Sequence, residues 1–251
     1  MSPEDVVRLL TADPRSNGVF TDFDGTLAPI VDHPDDAAAL PGAVEVLEAL
    51  AERFGRVGVI SGRSLGDVRS RLDPRGVVLA GSYGRQRSDR ATPPSGADWT
   101  GVADEAEIAV AGIGGVYVER KEHGVAVHYR LAPDAEPQVR TAAEELARTH
   151  GLQVRAGRLV QELTEPGPGK GDALAELADG LDAFLFAGDD VADVEAFRRA
   201  RTLPARAVCV AVVSDESPPD LRDEADLCLD SQEELLDLFG ALSRATAPRS
   251  G

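Results

Sequence analysis

Gly18-Val19-Phe20-Thr21-Asp22-Phe23-Asp24-Gly25-Thr26 is the stretch on which the reading of the chain turns. Residues 18–23 form a β-rich apolar run and are predicted to be a strand. Its end carries two acids two residues apart. In extended backbone such side chains point the same way, so Asp22 and Asp24 are expected to share a site. Gly25 then lets the chain leave sharply. Two carboxylates held that close repel unless a cation or a proton intervenes, which points to a hard ion such as Mg²⁺. Taken alone, the same residues would also suit a strand-ending Asx turn.

Outward from this strand, short apolar runs alternate with helical patterns. Residues 42–54 place Val46, Leu47, Leu50 and Phe54 on one helical face, 56–60 read as a second strand, 64–72 as a short helix and 77–80 as a third strand. The same rhythm returns late, with helices over 170–178, 191–200 and 232–242 and strands over 183–187, 207–213 and 227–229. Strands buried on both faces need no strict alternation, and these show none. The βαβ order implies an α/β fold with a parallel sheet. The middle differs. Residues 88–100 are polar and rich in Pro and Gly, a loop signal. Runs 115–120 and 124–130 flank Lys121-Glu122-His123 as a hairpin. A helix over 135–149 follows, and 152–155 with 158–163 read as a second hairpin turning at Ala156-Gly157. The expectation is a core of residues 1–82 and 164–251, interrupted by a small α+β domain over 83–163. The tail 246–251 reads as disordered.

Composition narrows the function. The 251 residues carry a formal net charge of −18, which argues against partners with anionic surfaces, nucleic acid and membrane alike. A phosphorylated small molecule stays possible, because a few cations and a metal reverse the potential of a cleft. Cys209 and Cys228 sit in apolar contexts and read as inert buried thiols. The first ten residues lack the apolar stretch of a signal peptide, and no run reaches the ~20 residues of a membrane span. A cytoplasmic protein, and a monomer, is expected.

Three further groups follow strand ends. Ser61-Gly62-Arg63 offers a hydroxyl and free amides where a helix opens, suited to an anion. Lys170 lies in Gly167-Pro168-Gly169-Lys170-Gly171. This is not a Walker A loop, since Gly171 stands where Ser or Thr would reach Mg²⁺. Gly188-Asp189-Asp190, with Asp193, supplies a second acidic group. Each has a bland reading as a helix cap or a solvated charge. Their conjunction decides: acid pair, hydroxyl, lysine and acid pair occur in an order that one sheet would bring to one edge.

These four signatures resemble those of the haloacid-dehalogenase-like phosphohydrolases. Val118-Glu119-Arg120-Lys121, Val127-His128-Tyr129-Arg130 and Val160-Gln161-Glu162-Leu163 further resemble the trehalose-6-phosphate phosphatases, and the likeness spans about 18–242. The resemblance implies a Rossmann-like haloacid-dehalogenase core with an inserted α+β cap. It implies a Mg²⁺-dependent phosphatase acting on a sugar phosphate, trehalose 6-phosphate. Asp22 would be the nucleophile and Asp24 the acid/base. Thr26, Ser61, Gly62 and Lys170 would bind phosphate, and Arg63, Glu119, Lys121 and Glu162 the substrate. The metal would be held by Asp22, Asp24 (through its backbone carbonyl), Asp189 and Asp190, with Asp193 in support. His128 and Tyr129 would pack the cap.

The chain departs from the family pattern at Tyr83, Gly169, Thr164-Glu165, Ala192 and Val194, which bears on which sugar is taken. Another disaccharide-like phosphate is therefore an alternative substrate. A sugar phosphomutase or phosphotransferase and an inactive regulatory homologue are further alternatives.

Overall fold

The computed structural model describes residues 1–245; the tail 246–251, read above as disordered, lies outside the described residues. The chain forms two compact units, Met1–Thr92 with Pro168–Gly251, and Pro93–Gly167.

In the larger unit the chain runs through α1 (Pro3–Leu10), β1 (Asn17–Thr21), α2 (Ala43–Ala51), β2 (Arg56–Ile60), α3 (Leu65–Arg71), β3 (Val78–Gly81) and a two-residue β4 (Gln86–Arg87). The smaller unit holds α4 (Trp99–Ala109), β5 (Tyr117–Lys121), β6 (Gly124–His128), α5 (Glu136–His150), β7 (Gln153–Gly157) and β8 (Val160–Thr164). The larger unit then resumes with α6 (Lys170–Ala178), β9 (Ala183–Gly188), α7 (Val191–Ala200), β10 (Arg206–Val212), α8 (Pro219–Glu224), β11 (Leu227–Leu229) and α9 (Gln232–Ala245).

The larger unit's sheet has the order β11-β10-β9-β1-β2-β3-β4, parallel except for β4. Side chains alternate between its faces. Val19, Val57, Val59, Leu185 and Val210 pack one way, with Leu47, Leu50 and Phe239 of the covering helices. Phe20, Ile60, Phe184, Phe186 and Cys209 pack the other way, against Leu174, Leu177 and Phe197. Each such buried side chain contributes roughly 1.5–3 kcal/mol, so the sheet is fixed from both faces. Burial pushes the Cys209 thiol up to about 12, in keeping with an inert core cysteine.

The smaller unit is a four-stranded antiparallel sheet, order β5-β6-β8-β7. One face, with Val125, Val127 and Leu163, is covered by α4 and α5 through Val102, Ala106, Val139 and Ala143.

Several boundaries differ from the sequence reading. The polar run 88–100 ends inside α4, which Asp98 starts by accepting a hydrogen bond from the Gly101 amide at 3.2 Å. Its small apolar residues gave too weak a period to be seen. Pairing of β4 with β3 keeps residues up to 87 within the larger unit, so its compact part runs on to Thr92. The second hairpin turns at Arg158-Leu159 rather than Ala156-Gly157, because Gly157 pairs with Val160 and Leu159 takes the left-handed conformation (φ 56°). Helices α1 and α8 were not foreseen either. Among the described residues no helix is long and apolar enough to cross a membrane.

Phe186 is fully buried, edge-on to Phe197 with ring centroids 5.8 Å apart. Phe186→Ala is expected to lower the urea unfolding free energy by about 3–5 kcal/mol with an unchanged m-value. A loss under about 1 kcal/mol would contradict this packing.

Candidate active site

Strand β1 lies between β9 and β2, and the chain winds outward from it in both directions. Open α/β sheets bind ligands at the carboxyl edge of such a reversal. The ladder carries the site residues to that edge. Just past β1, the Asp22 amide donates to the Ala187 carbonyl at 2.8 Å, and just past β2 the Ser61 amide donates to the Ala80 carbonyl at 2.8 Å. Asp189 follows β9, Lys170 opens α6, and Asp193 lies in the first turn of α7.

Lys170 Nζ lies 2.8 Å from Asp22 Oδ2 and 2.8 Å from Asp193 Oδ1, with the three side chains buried. Asp193 Oδ2 accepts from the amides of Asp189 (3.0 Å) and Asp190 (3.1 Å). Thr26 Oγ1 donates to Asp189 Oδ1 at 3.1 Å. Asp22, Asp189 and Asp193 each offer a carboxylate oxygen, all within 4.8 Å of one another. Three carboxylates against one ammonium leave this buried group two negative charges in excess. Burial raises the Asp22 carboxyl well above its ordinary range. Lys170 opposes the rise, while Asp193 and Asp189 add to it. Burial alone would lower Lys170, yet Asp193 and Asp22 outweigh it and hold the ammonium firmly protonated.

These residues fit a hard divalent cation. The donors are carboxylate oxygens, and two added positive charges would neutralise the cluster. The turn leaves room for little else. Gly25 has φ +78°, and a Cβ there would come within 2.0 Å of Asp189 Oδ2. Gln232 Nε2 fastens the same turn by donating to the Gly25 carbonyl at 3.0 Å.

The side chain of Asp24 goes elsewhere. Because β1 stops at Thr21, alternation no longer aligns it with Asp22. Its Oδ2 and Oδ1 accept from Arg63 Nε (2.7 Å) and Nη2 (2.8 Å). Arg63 Nη1 donates to Asp67 Oδ2 at 2.6 Å. Burial opposes it, but hydrogen bonds from Arg71 and Arg63 hold Asp67 below its ordinary carboxylate value. Ser61 is buried, and its Oγ accepts from the Arg63 amide at 3.1 Å. Gly62 is required by close approach, since a Cβ there would meet the Tyr83 ring at 2.9 Å. Ser82 and Tyr83 are both left-handed (φ 49° and 57°), a strain of the kind that gathers at functional sites.

The structure thus brings Asp22, Thr26, Lys170 and Asp189 of the expected residues into one cluster, and sets Asp24 on Arg63. Asp190 caps α7, accepting from the Val191 amide at 2.7 Å. Asp193, expected only in support, is fully buried and joins the lysine to the metal-type cluster. Its spacing from Asp190 also forms a capping box, so the sequence signal was ambiguous. Asp67 was not foreseen.

In the smaller unit, the register places Tyr117, Glu119, Lys121, His128 and Glu162 on the sheet face away from the two helices. Lys121 Nζ is 2.6 Å from Glu162 Oε1 and 4.0 Å from Glu119 Oε2. Glu119 Oε2 is 2.8 Å from His128 Nε2, and Tyr117 stacks on that imidazole at 4.7 Å. Alternating acids and cations suit a polyol, whose hydroxyls both donate and accept.

A family model for trehalose-phosphatase matches residues 20–233. A trehalose-phosphate phosphatase of Mycobacterium tuberculosis is 38% identical over 204 residues, 73% of this chain and 51% of that protein. Another M. tuberculosis protein, named an uncharacterized glycosyl hydrolase, is 39% identical over 217 residues, 77% of this chain and 16% of that protein. The chain therefore spans about half, or less, of these curated relatives. The C-terminal domain of the C. albicans trehalose-6-phosphate phosphatase shares the fold, with TM-score 0.80, 21% identity and 97% of each chain covered. By the extent of the family match, the chain belongs to the trehalose-phosphatase family.

Proposed function

We propose that this chain is a Mg²⁺-dependent phosphatase that hydrolyses trehalose 6-phosphate to trehalose and phosphate through an aspartyl-phosphate on Asp22. The observation that carries the reading is a buried carboxylate, Asp22, held by Lys170 at 2.8 Å beside Asp189 and Asp193. Asp22 attacks phosphorus in line, forming an O–P bond as the ester bond to the sugar breaks. Asp24 gives its proton to the departing sugar oxygen. It then takes a proton from the water that attacks the aspartyl-phosphate, which releases phosphate and regenerates Asp22.

Lys170, Ser61, Thr26 and the Gly62 amide grip the phosphoryl oxygens, where the transition state gathers charge. Asp22, Asp189 and Asp193, with the Asp24 carbonyl, would hold Mg²⁺, which would supply positive charge to offset that of the phosphoryl group. The sugar is assigned to the polar sheet face of the inserted unit, through Glu119, Lys121 and Glu162. A cytoplasmic location and a monomeric state belong to the same reading.

A second reading keeps the reaction and changes the sugar. Thr164 and Glu165 stand where the family pattern differs, and Thr164 Oγ1 accepts from Gln153 at 3.1 Å and Arg155 at 3.4 Å on the same sheet.

Steady-state phosphate release from a panel of sugar phosphates tests both. Trehalose 6-phosphate is expected to show the highest kcat/KM, and chelation and Asp22→Asn are each expected to remove about 10³-fold or more. A preference of about a hundredfold for another disaccharide phosphate, roughly 2.7 kcal/mol of transition-state binding, would favour the second reading. Activity retained by Asp22→Asn would overturn the mechanism.

The raised carboxyl of Asp22 has a consequence for stability. Between the ordinary carboxylate value, about 3.9, and its raised value, the folded chain keeps a proton that the unfolded chain has lost. Stability therefore falls as pH rises through that window. In chelator, Asp22→Asn is expected to melt higher than the parent at pH 7, with the advantage vanishing toward pH ~4. A variant that melts lower at pH 7 would contradict the charge balance.

A further inference from the structure

Arg63 lies deep in the site yet is turned away from the carboxylate cluster. Of the five N–H donors of its guanidinium, Nε and Nη2 take the two oxygens of Asp24 (2.7 and 2.8 Å), Nη2 also donates to the Pro34 carbonyl (3.0 Å), and Nη1 donates to Asp67 (2.6 Å). The group is 9% exposed and lies 5.7 Å from the centroid of the Phe23 ring. Asp67 is itself fixed. Its Oδ1 accepts from Arg71 Nε at 3.0 Å, and Arg71 Nη1 donates to the carbonyls of Asp35 (2.9 Å) and Ala37 (2.6 Å). The chain of contacts Arg71–Asp67–Arg63–Asp24 therefore ties the first turn of α3 and the segment around Pro34 to a single carboxylate. Little of the guanidinium is left for a sugar.

We propose that Arg63 and Asp67 are positioning residues for Asp24, holding its carboxyl where it meets the leaving oxygen and then the attacking water. This rests on the reading of Asp24 as the acid/base. Asp24 is a third exposed, and a short side chain at that exposure samples several rotamers. A planar fork that meets both oxygens selects one of them, which a point charge cannot do. Asp67 keeps the fork aimed at Asp24 and away from the excess negative charge of the neighbouring cluster. The proton balance is simple. Asp24 delivers one proton to the sugar oxygen and recovers one from water, while Arg63 keeps all of its own.

Leaving-group dependence separates this role from a merely structural one. A sugar alkoxide needs the proton, whereas 4-nitrophenolate leaves without it. Single-turnover release of the leaving group at saturation is measured for trehalose 6-phosphate and 4-nitrophenyl phosphate in the holoenzyme. Arg63→Met is expected to slow the sugar step about 10²-fold and the nitrophenolate step less than about tenfold, with KM nearly unchanged. Arg63→Lys is expected to restore part of the loss. Asp67→Asn is expected to move the ratio the same way by several-fold, and the double variant to be no slower than Arg63→Met, since the two act through one contact.

Equal slowing of both substrates, a change confined to KM, or additive losses in the double variant would overturn the proposal. Should Arg63→Met fail to fold by circular dichroism, the ratio in Arg63→Lys and Asp67→Asn decides. Asp22→Asn is run alongside. If it still releases either leaving group, the reading of the reaction has failed. If it is silent while the Arg63 and Asp67 ratios stay at the parent value, only the positioning role has failed.

Discussion

Lys170 stands between Asp22 and Asp193, 2.8 Å from each, with almost no exposure to water. A buried ammonium is tolerable only because two carboxylates face it, and those carboxylates only because they share it. Around this contact the larger unit is arranged. Strand β1 brings Asp22, α6 brings Lys170, and α7 brings Asp193, whose second oxygen collects the amides of Asp189 and Asp190. The group remains over-supplied with negative charge. That imbalance suits the same cluster to a cation and makes it, without one, a cost to the fold.

The different surroundings of the first two acids follow from where a strand ends. Asp22 is one residue past β1 and is held in the ladder by the Ala187 carbonyl, so it stays inside. Two residues on, the turn at Gly25 has begun, and the Asp24 side chain leaves the cluster for a guanidinium. Two carboxylates of identical chemistry thus sit in different surroundings, one buried among like charges and one paired and partly wet. The proposed assignment of nucleophile to one and acid/base to the other rests on this difference in surroundings.

Much of this was legible in the sequence because it is local. Asp22 stands at the end of an apolar run and Ser61 and Asp189 directly after one, and strand ends in a parallel sheet share an edge. The direction of Asp24 was not legible, because alternation was carried past the point where β1 stops. Asp193 was given only a supporting place because its spacing from Asp190 also fits a capping box. Arg63 was assigned to the substrate by resemblance; its contact with Asp24, 39 residues away, is made only by the fold, whereas Asp67 lies one helical turn on. In the inserted unit, Gly157 drew the turn two residues too early, and the Pro-rich approach to Asp98 masked α4. Glu119, Lys121 and Glu162 were named together by the resemblance alone, and the strand register sets them on one sheet face.

The central claim is that the oxygen attacking phosphorus belongs to Asp22. Quenching turnover with borohydride, which reduces an acyl phosphate to an alcohol, followed by peptide mass mapping, tests it most directly. The account predicts reduction at position 22 alone, dependent on substrate and absent in chelator. Reduction at Asp24 or Asp189, or at no carboxylate during active turnover, would contradict it.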